Sequence, residues 1–248
     1  MVRAALQAGA HYLDLADGSA FVRNIGQFDA SARAAGRVVL SGVSSFPVLT
    51  AAVVTHLARD LAAVDDIAGG IAPSPYAGVG ANVIRAVASY AGRRVELRRN
   101  GGADHGYPFT ETRRFTISPP GRVPLEPRTF SLADVPDLTL LADLRPEARS
   151  IWMGVAPVPA PLHRLLRWLA RGVRMRLVPP LRPFAPLLHW AANTLRWGEH
   201  RGGMFVEIAG RTASGRVVRR SWHMVAEGDS GPLIPSMAIE AIVRNMLR

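Results

Sequence analysis

Apolar and polar positions alternate in short blocks along the first third of the chain. Residues 2–9 read as the end of a helix, with Val2, Ala5 and Leu6 on one side, Arg3 and Gln7 on the other, and Gly9 as the stop. A strand over 11–16, a helix over 19–35 ended by Gly36 and a strand over 37–41 follow. Next come a helix over 48–61, a strand over 66–72 and a helix over 81–91 closed by Gly92. This βαβα rhythm predicts a parallel or mixed sheet. Downstream the pattern changes. Residues 94–99, 109–118 and 150–156 have strand character, with the Pro-rich stretch 119–127 as an exposed connection. Residues 204–212 and 217–226 flank Ala213-Ser-Gly-Arg216 and predict a hairpin, and a last helix follows Pro235 and runs to Leu247.

The uncharged run 38–58 is long enough to span a bilayer, but Ser41, Gly42, Ser44, Ser45, Pro47, Thr50, Thr55 and His56 interrupt it. It reads instead as a strand, a loop and a helix. No secretory signal is visible, so a cytoplasmic location is expected, with a peripheral membrane contact as its one variant. The 248 residues, 48% of them hydrophobic, suffice for one large domain or one domain plus part of another.

Composition removes several chemistries. All thirty basic residues are Arg, Lys is absent and so is Cys. This excludes a Lys Schiff base, a phosphate-loop Lys, a Cys nucleophile, a thiolate metal site and a disulfide. The net charge of +11 is concentrated: residues 160–198 hold seven Arg (164, 167, 171, 174, 176, 182 and 196) and no Asp or Glu. Leu162, Leu165, Leu166 and Leu169 recur there at helical spacing, and Leu187, Leu188, Trp190, Ala191 and Leu195 suggest a second helix. Such a pair either packs on its own domain with a solvated Arg face or lies on an anionic membrane. Nucleic acid is not an expected partner, because no recognition motif accompanies the charge.

Three motifs fail on inspection. A dinucleotide fingerprint needs its glycines directly after a strand and opening a helix. Gly78-Val-Gly80-Ala-Asn-Val83 lacks the third glycine and is separated from strand 66–72 by Pro73-Ser-Pro-Tyr-Ala77, so it reads as a softened helix start. Gly228-Asp-Ser-Gly-Pro232 looks like a serine-protease nucleophile loop, but only eighteen residues follow Ser230 and they read as a helix. The seven His are dispersed, and three convergent metal ligands cannot be assembled; His105 and Tyr107 fall in a Gly-rich loop.

A resemblance carries further. Ala8-Gly-Ala-His-Tyr-Leu-Asp-Leu-Ala-Asp17, Ala34-Ala-Gly36, Ser41-Gly-Val-Ser-Ser-Phe-Pro47, Asp134-Val-Pro-Asp137, Gly202-Gly-Met204 and Gly231-Pro-Leu-Ile-Pro235 occur in an order that resembles the saccharopine dehydrogenase-like proteins. The resemblance implies an α/β fold: the C-terminal remainder of a Rossmann-type dinucleotide-binding domain joined to an α+β domain with a mixed sheet. The expected division is 1–65 for the first, 66–234 for the second, including the basic segment 160–198, and 235–248 for a C-terminal helix returning to the first. The family's opening strand, Gly-rich turn and helix are not matched. At roughly thirty residues or more per βαβ unit, about a hundred residues are expected to be missing. A fragment of this kind, with an unpaired sheet edge, is expected to associate, a homodimer being one form.

The implied activity is NAD(P)-dependent hydride transfer at a C–N or C–O centre of a small-molecule substrate. In open α/β sheets ligands collect beyond the carboxyl ends of the strands. That places candidate residues in the loops after strands 11–16 and 37–41. Asp14 and Asp17 are suited to a ribose hydroxyl or a substrate amine, and Tyr12 or His11 to supplying a proton. Ser44, Ser45 and the backbone at Phe46, before Pro47, are suited to the nicotinamide. His11, Tyr12 and Asp14 are thus the catalytic candidates. The competing function, of another class, is a non-catalytic module that binds a membrane surface or partner through 160–198.

Overall fold

The computed structural model describes residues 1–228 and 230–248. In chain order the elements are α1 (Val2–Gln7), β1 (Tyr12–Leu13), α2 (Ser19–Arg23), α3 (Asp29–Ala34), β2 (Val39–Leu40), α4 (Thr50–Leu57), β3 (Ala63–Ala72) and α5 (Ala81–Tyr90). They continue with β4 (Val95–Arg99), β5 (Gly102–Gly106), β6 (Thr112–Phe115), β7 (Arg128–Leu132), α6 (Asp137–Leu144), β8 (Ser150–Val155) and α7 (Ala160–Arg174). The last are α8 (Ala185–Thr194), β9 (Arg201–Arg211), β10 (Val217–Glu227) and α9 (Ile234–Met246).

The main body is a six-stranded mixed sheet in the order β10-β9-β3-β8-β7-β6. Strand β3 is its axis, parallel to β8 and antiparallel to β9. Its small residues decide what lies above and below. Phe205 and Phe130 rings close over Gly70, and the Met153 side chain lies against Gly69. Ile151, Ile67 and Ile208 form a row across β8, β3 and β9, each about 1% exposed. Helix α4 covers this side; Arg220 on β10, in register with Ile208, donates to the Leu57 carbonyl at the end of α4 and to the Asp60 carboxylate. On the other side Phe115 stacks on Phe205 at 3.7 Å, and Ile117, before the Pro-rich connection, and Leu125 within it are buried.

A second apolar cluster joins α5, α7 and α8 through Ala88, Ala91, Ala170, Leu181 and Ala185, with Phe109 at 0% exposure among them. His163 of α7 ties it to the sheet: its Nε2 lies 2.7 Å from the Ser131 hydroxyl of β7, and both residues are buried. Strands β1 and β2 form a separate parallel pair, and β4 and β5 a hairpin. Helix α9 returns to the turn at 45–49.

The elements depart from the sequence pattern in several places. The helix expected over 19–35 is broken: a 3-10 segment, Asn24–Phe28, separates α2 from α3, where Asn24 and Gly26 favour helix poorly. The strand expected over 109–118 begins only at Thr112, because Phe109 has φ of 61° and Thr110 closes a turn onto the Tyr107 carbonyl. Three elements went unpredicted: β5, bounded by glycines; β7, hidden behind prolines; and α6, whose entry Asp134-Val-Pro-Asp137 has turn composition. His105 and Tyr107, expected in a loop, lie in and just after β5. Arg94 Nη2 is 3.0 Å from His105 Nδ1, and the Arg174 guanidinium sits 4.1 Å from the Tyr107 ring centre. Gly80 caps α5, and Asn193 of α8 accepts from the Val79 N–H at 3.0 Å, so the 78–80 loop is pinned rather than open to a phosphate. Asp229, in the protease-like motif, lies outside the described residues; the Ser230 hydroxyl donates to the Glu227 carbonyl.

Candidate functional site

The parallel pair sets the geometry. Tyr12 and Asp14 amides donate to the Val38 and Leu40 carbonyls, so β1 and β2 end side by side and their following loops share one rim. Asp14 ties the two ends together. Its Oδ1 accepts from Ala16 N–H at 2.9 Å, Ser41 hydroxyl at 2.8 Å and Gly42 N–H at 3.0 Å, while its carbonyl accepts from Val43. Burial opposes ionisation of this carboxyl, but the three donors outweigh it and hold its pKa below the ordinary value. Gly42 has φ of 73° and lies against Val22 and Pro47, so the loop turns where only glycine fits without strain.

The sheet meets this rim through the turn between β7 and α6. Ser19, just after the β1 loop, donates to Asp134 at 2.6 Å. Asp137, three residues on, is fully buried beside the β2 loop, where the Thr50 hydroxyl donates to the Ser45 carbonyl at 3.1 Å. Burial pushes the Asp137 carboxyl up to about 7. The Asp134 and Asp17 carboxylates act on Tyr90, the last residue of α5. Burial first, and then these two charges, raise its phenol well above the ordinary range. A pocket of about 250 Å³ opens beside Ser19 and Asp134, with Arg23, Arg94, Glu96 and Thr139 on its wall. A larger groove lies at the opposite, amino ends of β3 and β8, where Asp65 forms a two-pronged pair with Arg211.

The sequence-derived candidates separate into groups. His11 Nδ1 accepts from Val38 N–H at 3.0 Å and extends the strand pair. Tyr12 lies beside Asp14, and burial followed by that carboxylate raises its phenol pKa. Asp17 is exposed as a residue, yet its carboxyl loses enough hydration for its pKa to rise. Ser44 is half-buried, whereas Ser45, Phe46 and Pro47 are buried and Phe46 belongs to the main core. These last three therefore present backbone rather than side chains to the rim. Asp134, Asp137 and Tyr90 were not among the candidates. The first two stood in the Asp134-Val-Pro-Asp137 motif, but nothing in sequence spacing brings residue 134 to residue 19.

Where a dinucleotide would lie, the fit is partial. The rim supplies the Asp17 carboxylate and backbone groups at 42–47 for a nicotinamide riboside. Among the described residues no strand–glycine turn–helix unit meets a pyrophosphate, and the one near match is closed by Asn193.

No protein-family model matches the chain, and no curated protein matches it in sequence. Solved structures do match by fold. Apo saccharopine dehydrogenase (L-Glu forming) from Saccharomyces cerevisiae superposes with a TM-score of 0.54 at 12% identity, covering 91% of this chain and 67% of that one. GenD2 from gentamicin A biosynthesis, in complex with NAD, gives 0.33 at 12% identity, covering 88% and 50%. The WlbA dehydrogenase from Thermus thermophilus, in complex with NAD and alpha-ketoglutarate, gives 0.24 at 13% identity, covering 87% and 71%. The last two superpose too loosely to support an argument. The first joins the mixed sheet, with its attached parallel pair, to one known architecture: the fold of this chain is saccharopine dehydrogenase-like.

Proposed function

We propose that the chain is part of an NAD(P)-dependent oxidoreductase that transfers hydride at a C–N or C–O centre of a small molecule. The observation that carries this is the meeting of the β1 and β2 carboxyl-end loops with Asp134, through the Ser19 hydrogen bond, at the mouth of an Arg-containing pocket. A ligand seated on the rim would face that pocket. The nicotinamide would supply the hydride chemistry when bound, and the chain's own groups would orient and neutralise. Asp17 is the residue for a ribose hydroxyl or an amine. Arg23 and Arg94 suit an anionic group on the substrate. Tyr12 and Tyr90, their pKa values raised, stay neutral near pH 7 and keep their phenol protons.

The test is titration with NADH, NADPH and reduced nicotinamide mononucleotide, read by nicotinamide fluorescence. It is followed by turnover assays with 2-oxo acids, with and without a primary amine. Saturable binding that weakens about tenfold or more in Asp17→Ala supports the reading, as loss of a charge-assisted hydrogen bond predicts. Absence of binding by all three compounds, or binding indifferent to Asp17→Ala and Asp134→Ala, overturns it.

A further inference from the structure

Helices α7 and α8 are amphipathic in an unusual sense: both of their faces are apolar, and the outer one is also cationic. Ala170, Leu181 and Ala185 face α5 in the second cluster. Outward, Leu165 is 52% exposed, Trp168 71%, Leu177 74%, Leu187 61%, Trp190 59% and Trp197 48%. Scattered exposed apolar residues need no explanation, but this many within one short segment do.

Charge narrows the partner. Many arginines elsewhere are paired, among them Arg99 with Glu111, Arg201 with Glu199 and Arg211 with Asp65. Among the described residues none of the seven Arg of 160–198 forms an ion pair, and the segment contains no acid to form one. A second copy of the chain seated symmetrically on this face would bring two uncompensated +7 segments together. A partner must instead offer negative charge and, at the same time, an apolar layer for three tryptophans and several leucines. A bilayer with anionic headgroups offers both, with Trp at headgroup level and Arg against phosphate. No described helix is long and apolar enough to cross a membrane, so the mode is attachment along the surface. We propose that the outer face of α7, α8 and their connection docks on anionic lipid bilayers.

The experiment is flotation of the full chain with vesicles of phosphatidylcholine alone and of phosphatidylcholine with about a third phosphatidylglycerol. Flotation with the anionic vesicles alone, lost at high salt, is expected. The triple change Arg164→Gln, Arg176→Gln, Arg182→Gln removes three exposed cations without touching either apolar cluster. It should weaken binding about a hundredfold. Trp168→Ser with Trp190→Ser should remove most of the blue shift of tryptophan emission on binding, leaving only the share of Trp197. Unchanged circular dichroism and melting confirm that the variants fold. Equal binding to neutral vesicles, or wild-type binding by both variants, overturns the proposal. So does light scattering that finds a dimer broken by the tryptophan changes, since the occupant would then be a second copy. None of these readouts depends on nicotinamide binding.

Discussion

Asp14 and Asp17 stand three residues apart and divide the work of the rim. Asp14 spends its Oδ1 on three donors within the protein, so removing it should loosen the loops rather than a ligand. Asp14→Ala is expected to lower stability by about 2 kcal/mol, with Asp14→Asn losing less because its amide oxygen can still accept. Asp17→Ala should leave stability at neutral pH unchanged or slightly higher, because it removes a carboxyl whose ionised form the fold disfavours, and should show its effect in nicotinamide titration instead. Urea midpoints at constant m distinguish the two. Should Asp17→Ala prove the destabilising one, the assignment of structural and binding roles is reversed.

At the scale of elements, the contact between α5 and α7 is set by one glycine. A Cβ on Gly92 would sit 2.1 Å from the Ala170 carbonyl oxygen, and φ there is 72°. Gly92→Ala should therefore cost more than about 3 kcal/mol by pushing α7 from its seat. Gly36→Ala, with φ of 61° and open space around it, should cost only about 1 kcal/mol. Thermal melts of the pair separate steric exclusion from backbone strain. The same contrast explains what was legible beforehand. Gly92 and Gly36 were readable as helix stops because the stop is local, and β9–β10 were readable because alternation and a turn coincide in sequence. The site was half legible. Loops after strands 11–16 and 37–41 followed from the αβ rhythm, and Asp14, Asp17 and Ser44 from the loops. Asp134 was not, since it reaches Ser19 across 115 positions of sequence, and β7, which delivers it, is masked by prolines. Non-local pairing leaves no periodic trace.

For the whole molecule, two buried groups pull stability in opposite directions with pH. The Asp137 carboxyl, ordinarily 3.8, is raised to about 7 by burial. The folded state keeps a proton that the unfolded chain releases, so stability falls as pH rises from about 4 to about 7, by at most about 4 kcal/mol. His163, ordinarily 6.5, is lowered to about 4 by burial and then by Arg167. Here the unfolded chain takes up a proton that the folded state refuses, so stability falls as pH drops from about 6.5 to about 4, by about 3 kcal/mol. Asp17, raised, reinforces the first slope, and His223, lowered, the second. Asp14, Asp60 and Asp65, all lowered by their hydrogen-bond donors, act below this window. The two slopes nearly cancel, and the wild-type chain should show little change in urea midpoint between about pH 4 and pH 6.5. Asp137→Asn removes the falling branch: stability should then climb with pH across that range and exceed wild type near pH 8. His163→Gln, which can still meet the Ser131 hydroxyl, should leave the falling branch alone and give a chain that weakens steadily as pH rises. A flat profile in both variants would mean that neither group is desolvated as its burial implies.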